Sequence, residues 1–335
     1  MARSVIVDLG GLFRGSGSLL RRRWGDVGAL TPRFARVRAE GWPGPLPALE
    51  PVNEAVAAFE GAAEVRLYGQ PGAVRAANLW APALSRPIPG VDSPSAAPGP
   101  AVALVGPAWV DEAVDALVSA GHRVAVACKR PASGEAIDPP SGGRWIEDAW
   151  AGEGTRGPLG AGVLTAAALS GLDVAAALDG AAAMSTLCDG PLADNPAWSL
   201  ARGLRLLASE RARDSVVHVA GGAELLPLAE WAARAQAVRL APASVVAPAR
   251  PAPVAVRADD EDWATFLRAG GPERVVVSWS GPGDTSGGWI DAAEEVGLSV
   301  IRLRLPGVDA ASLGGAVMLW LRALGALAAL EERGG

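Results

Sequence analysis

"AVALVGPAWVDEAVDALVSAGHRVAVAC", residues Ala101 to Cys128, decides the fold class of this chain. It opens on a short apolar run, Ala101 to Gly106, with the length and composition of a strand buried on both faces. "WVDEAVDALVSAG" follows, with apolar residues at helical spacing. It ends on Gly121, the residue type that most easily closes a helix in the left-handed conformation. "HRVAVAC", His122 to Cys128, is strand-like again. Strand, helix, strand at this spacing implies parallel strands joined by a right-handed crossover. The chain therefore reads as α/β.

The same alternation extends outward. Upstream, "EPVNEAVAAFEGA" carries Val52, Val56 and Phe59 at helical spacing, "EVRLYG" (Glu64 to Gly69) is a short strand, and Ala73 to Trp80 turns helical. "GWPGPLP" (Gly41 to Pro47) is a breaker cluster, and Arg86 to Pro100 is a Pro/Ser/Gly linker. Downstream, Gly160 to Arg213 reads as helices with no strand. From Asp214 the alternation resumes, with strands at "DSVVHVA", "RVVVSW" and "LSVIRLRL" and helices at Leu225 to Gln236 and "GWIDAAEEVG". The expected division is an N-terminal segment, 1–45, a first α/β domain, 46–160, a helical connector, 161–213, and a second α/β domain, 214–335.

Composition narrows the function. The chain has 335 residues, half of them hydrophobic, enough for two cores. A net charge of −6 without a basic tail argues against a nucleic-acid partner. "RRRW" (Arg21 to Trp24) reads as a solvated face. The most apolar late stretch, Leu313 to Leu330, carries Arg322 near its middle and reads as a buried core helix, so no membrane partner is expected. Cys128 and Cys188 lie far apart and near no histidine pair, which indicates neither a metal site nor a disulfide framework. The start "MARSVIVDLGG" reaches Asp8 before any long apolar run, unlike a signal peptide, and a cytoplasmic location is expected.

"GVLTAAALSGLDVAAALDGAAAM" (Gly162 to Met184), followed by "DNPAWSLARGLRLL" (Asp194 to Leu207), resembles the phosphoglucose isomerase (glucose-6-phosphate isomerase) family. Gly162, Gly171, Asp173, Leu178, Gly180, Ala181, Asn195, Pro196 and Ala197 match its pattern in order. Asn195-Pro196 also has local sense, since Asn caps a helix and Pro suits its first position. "GHRVAVAC", "LPLAEWAARAQ", "GGPERVVVSW" and "ASLGGAVMLWLRALGAL" look like further segments of that family, so the likeness spans about residues 45 to 330. It implies two SIS-like (flavodoxin-like) three-layer αβα domains with parallel sheets, joined by the helical middle segment.

The family's reaction, aldose–ketose isomerisation in glycolysis and gluconeogenesis, needs a carboxylate base, a ring-opening group and donors that fix a phosphate. The resemblance places its first glycine loop at Gly69-Gln70-Pro71-Gly72-Ala73. Ala73 replaces a serine there, and Pro71 removes an N–H that could face an anion. Gly69, Gly72 and the nearby cation Arg75 are the ligand-binding candidates in this loop. The Ser/Thr-rich phosphate loop falls on Val105 to Glu112, where Gly106 remains but no hydroxyl does, and where Asp111 and Glu112 repel phosphate. The family's arginine falls on Arg156, which lies nearer the Gly162 helix than Arg144 does. The base falls on Val238, with Glu230 a few residues away. The histidine falls on Asp262, within an acidic run that includes Glu261. Lys129, the chain's one lysine, stands in another part of the chain. His122 and His218 sit at or in strands and read as structural.

These substitutions imply a glucose-6-phosphate-isomerase-like protein that has lost catalysis and serves as a scaffold, regulator or partner subunit. The alternatives are an active isomerase with Arg156, Glu261 and Asp262 in a rearranged site, and a binding module for a carbohydrate derivative. No cofactor and no metal are expected. The partners expected are a sugar phosphate or other small metabolite and, by resemblance, a second subunit in a homodimer or hetero-oligomer.

Overall fold

The computed structural model describes residues 4–13, 35, 43–59, 66–69, 76–88, 100–104, 110–128, 144–148, 150, 157–192, 194–210, 216–240, 254–257, 275–284, 287–295 and 297–331. The chain forms two compact units. One comprises Pro45–Leu178, and the other comprises Met1–Gly44 together with Asp179–Gly335. The N-terminal strand β1 (Ile6–Asp8) belongs to the second.

The first unit contains α1 (Leu49–Ala58), β2 (Arg66–Gly69), β3 (Pro100–Leu104), α2 (Val110–Ser119), β4 (Arg123–Cys128), β5 (Arg144–Glu147) and α3 (Ala161–Leu169). Its strands form one parallel sheet in the order β2-β3-β4-β5. The β3–α2–β4 unit is the one read from Ala101 to Cys128. Gly121 closes α2 at φ +82°, with the His122 N–H donating to Leu117 O at 3.0 Å. An α3 that is buried from Ala161 through Ala167 has no polar face, because it packs on the sheet and on α1 at once. Ala76 and Ala77 are helical and lead into a 3-10 turn, Asn78–Ala83, which holds Trp80 so that its indole N–H donates to Pro158 O at 2.9 Å.

Helix α4 (Val174–Cys188) carries the chain across the boundary between the units. The second unit continues with α5 (Pro196–Glu210), β6 (Val216–Ala220), α6 (Leu226–Leu240), β7 (Val254–Arg257), β8 (Val275–Ser280), α7 (Gly287–Glu295), β9 (Ser299–Arg304) and α8 (Ala310–Glu331). Its sheet runs β1-β9-β8-β6-β7. Strands β6 to β9 are parallel, while β1 pairs antiparallel to β9, with Ile6 opposite Arg304. Both units therefore bear out the expected parallel α/β architecture, with β1 as an added antiparallel edge.

Helix α8 is long and apolar enough to cross a bilayer by composition, but 89% of Ala310–Ala328 is buried inside the structure. It packs on α5 and α6, and its Trp320 indole donates to Ala232 O at 3.0 Å. Arg322, the charge in its middle, donates to Ser185 Oγ at 2.6 Å and lies 3.5 Å from the Asp189 carboxylate. This is a core helix whose one cation is paired.

Asn195 joins two helices. Its Oδ1 accepts the Trp198 N–H at 2.9 Å and so caps α5, while its Nδ2 donates to the Cys188 carbonyl at the end of α4. Pro196 then takes the first helical position, as the sequence implies. Since Asn195 has no exposed surface, Asn195→Ala leaves a buried N–H and a buried carbonyl without partners. The expected loss is about 2–3 kcal/mol of stability, read as a lower denaturation midpoint. Asn195→Asp, which keeps the cap acceptor but loses the donor, should fall between alanine and the parent.

Candidate functional site

In open parallel sheets, ligands bind beyond the carboxyl ends of the strands, where loops and helix N-termini converge. In the first unit that edge begins with Gly69, the last residue of β2, paired to Leu104. The other residues expected to bind or act, Gly72, Arg75, Gly106, Arg156, Glu261 and Asp262, lie outside the described residues. Arg144 opens β5 opposite Ala125, and Glu230 is an exposed residue of α6. Val238, where the resemblance puts the base, falls within α6, and Asp111 and Glu112 lie in the first turn of α2.

The first unit also holds a carboxylate that sequence reasoning missed. Asp148 follows β5 directly, is buried, and accepts the N–H groups of Trp150 at 2.9 Å and Gly162 at 3.0 Å. Burial pushes its carboxyl above the usual range, and the backbone donors Gly162, Trp150 and Ala161 pull it partly back. Asp148 thus places the chain's own negative charge at the N-terminus of α3, where a bound anion would otherwise gain from the helix dipole.

In the second unit the order β9-β8-β6-β7 puts the topological switch between β6 and β8. There β6 runs into Gly221-Gly222 and a 3-10 turn, Ala223–Leu225, before α6. The Gly221 N–H donates to Trp279 O at 2.7 Å. A Cβ on Gly221 would overlap the Asp284 carboxylate, and one on Gly222 would stand 2.7 Å from Glu224 Cδ. At both positions a carboxylate rests against the Cα, and any larger residue would have to push that side chain aside. Beyond β8 and β9, Leu305 N–H donates to Ser280 O at 2.8 Å, and Asp309 Oδ1 accepts the Ser312 N–H at 2.9 Å, capping α8. The signals for this edge were present as "VHVAGG" and "SWSGPGD", each a strand-like run that meets glycine.

Beneath that edge, His218 in β6 is fully buried. The Trp279 indole N–H can only donate, and it points at His218 Nδ1 from 3.2 Å. The proton must then sit on Nε2, which faces Gln236 Oε1 at 3.0 Å. Trp320 closes the cluster edge-on, with ring centroids 5.0 Å apart. Burial lowers the His218 pKa to about 4, against a smaller opposing effect of the Gln236 hydrogen bond. Burial also pushes the Cys188 thiol up to about 12. Both are neutral packing groups away from solvent, in keeping with the structural reading of His218. Among the described residues, no group of three or more His, Cys, Asp or Glu side chains is placed to hold a metal ion.

Each unit is thus built on a parallel sheet with helices packed on it, the α/β architecture expected from the sequence. No protein-family model and no curated protein matches the sequence. Solved structures do match the fold. A hypothetical protein of Thermus thermophilus superimposes with a TM-score of 0.71 at 15% identity, over 98% of this chain and 94% of that one. A glucose-6-phosphate isomerase of Chlamydia trachomatis gives 0.57 at 9% identity, over 84% of this chain and 68% of that one. The C-terminal domain of glucosamine-fructose-6-phosphate aminotransferase from Francisella tularensis gives 0.50 at 12% identity, over 84% and 93%. At these identities the likeness is one of fold.

Proposed function

We propose that this chain is a sugar-phosphate-binding protein of SIS type that does not isomerise its ligand. The observation that carries the reading is a contrast. The fold superimposes on a glucose-6-phosphate isomerase over 84% of the chain, yet the resemblance puts the carboxylate base on Val238, a residue of α6. An alkyl side chain cannot take the proton that enediol formation releases. The resemblance puts the family's histidine on Asp262, which is not an imidazole. Groups that act as one catalytic unit are strongly non-additive, so loss of the base alone removes most of the rate. A bound sugar phosphate would be a signal or a cargo, and the chain a regulator or partner subunit.

The test is calorimetry with fructose 6-phosphate, glucosamine 6-phosphate and free fructose, beside a coupled assay for conversion of fructose 6-phosphate to glucose 6-phosphate. Expected are saturable binding of the phosphorylated sugars, binding of free fructose at least about tenfold weaker, and no turnover above the uncatalysed rate. Robust turnover would overturn the non-catalytic half of the reading and direct mutation to Arg156, Glu261 and Asp262. Equal affinity for free fructose would overturn the phosphate half.

A further inference from the structure

The second unit contains a groove of about 770 Å³ between α4, the start of α8 and the residues leading into β1. Its size falls within the range of small-ligand sites, about 300–1,000 Å³. Gly180, Ala183 and Gly315 line its floor, and Gly180 and Gly315 bring α4 and α8 together. Val5, Met184, Leu187 and Pro306 supply apolar wall. Leu187 is 46% exposed, one of two large apolar side chains strongly exposed among the described residues. Water therefore touches hydrocarbon that a ligand would cover.

Among the described residues, the charged side chains lining the groove are both acidic, Asp179 and Asp309. Asp179 adjoins Gly180, whose backbone meets Ala311, and Asp309 lies two residues before Ala311. The two carboxylates thus flank the helix crossing at one end. Leu187 stands two helical turns further along α4, about 12 Å away at a rise of ~1.5 Å per residue. Asp309 spends one oxygen on the Ser312 N–H, and the α8 dipole offsets part of its charge. Asp179 is exposed, and among the described residues it has no cationic partner.

We propose that this groove binds a small organic amine, with its aliphatic body along Met184 and Leu187 and its ammonium group at Asp179 and Asp309. The polarity of the groove selects the ligand. Hydrocarbon is covered at the Leu187 end, and a cation meets two carboxylates at the other, whereas a sulfate or phosphate head would meet like charge. The site lies within one unit, uses none of the residues assigned to sugar-phosphate binding, and stands or falls apart from that reading.

Octylammonium and octyl sulfate, which share a tail and differ in head charge, are the probes for calorimetry on the full chain. Octylammonium is expected to bind at least about tenfold more tightly than octyl sulfate. Asp179→Asn with Asp309→Asn should bring that preference below about threefold while leaving the fold intact, since Asn caps a helix as Asp does. Ala183→Trp, at an exposed position of the floor, should weaken octylammonium at least about tenfold by filling the groove. Near-ultraviolet circular dichroism confirms that each variant is folded. Equal affinity for both probes, no octylammonium binding, an undiminished preference in the double variant, or unchanged binding to Ala183→Trp would each overturn the assignment.

Discussion

Gly180→Ala is expected to cost the second unit at least about 4 kcal/mol, and Gly180→Val to prevent it from folding. In the interior of an exposed helix the same change from Gly to Ala would add stability, about 1 kcal/mol. Here the sign reverses because of what the new atom meets. A Cβ on Gly180 would overlap the Ala311 carbonyl oxygen and stand 2.7 Å from its carbon and 2.8 Å from its Cα. These are backbone atoms in the first turn of α8, and no rotamer can move them aside. Relief requires α4 to slide away from a helix buried from Ser312 through Leu321, which would open cavities along it. Gly315 supplies the internal control. A Cβ there would find its nearest neighbour, Gly180 O, at 3.4 Å, an ordinary contact. Gly315→Ala should therefore change stability by no more than about 1 kcal/mol. In thermal unfolding, the first variant should melt roughly 10 °C lower and the control within about 3 °C of the parent. A Gly180→Ala protein that melts with the parent would show that the two helices are not in contact there.

The same helices show what the sequence makes legible. The α/β class could be read from Ala101 to Cys128 because strand, cap and strand are local signals, and the Asn195-Pro196 cap is equally local. Three strands escaped the reading. β5 and β7 are four-residue edge strands, each with a charged residue at an end, and β7 follows a proline-rich run. Alternation is too brief in either to stand out. β1 is shorter still, and its partner β9 lies near the other end of the chain, so no local pattern could announce it. The site residues divide along the same line. Glycines at strand ends are visible as sequence. That Asp284 rests on Gly221, or that Asp148 reaches the N-terminus of α3, depends on loops brought together by the sheet. The likeness to isomerase motifs named positions such as Gly72 and Asp262 by order along the chain, whereas the described contacts arise from three-dimensional neighbours.

Acid should weaken the second unit in part through one buried imidazole, that of His218. Nδ1 of His218 already accepts the Trp279 indole N–H, and Nε2 already donates to Gln236. A second proton would have to sit on Nδ1 and confront another donor, in a site with no exposed surface. The folded-state pKa is about 4, below the ordinary 6.5, with burial as the main cause. Below pH 6.5 the unfolded chain takes up a proton that the folded chain refuses. The stabilisation is complete above pH 6.5 and drains away as pH falls toward 4, by about 3 kcal/mol in all. Carboxylates contribute their own pH dependence, so the informative quantity is the difference from His218→Leu. That variant should be less stable at pH 7.5, because Gln236 and the Trp279 N–H lose their partner. The gap should narrow steadily between pH 6.5 and 4, by about 1.4 kcal/mol per pH unit at its steepest. The chain has two histidines, so proton NMR can follow each ring directly. The His218 ring signals should stay fixed from pH 7.5 to 5. A ring that titrates near 6.5 would mean that water reaches it, and the tautomer, the indole bond and the buried cluster would all have to be abandoned together.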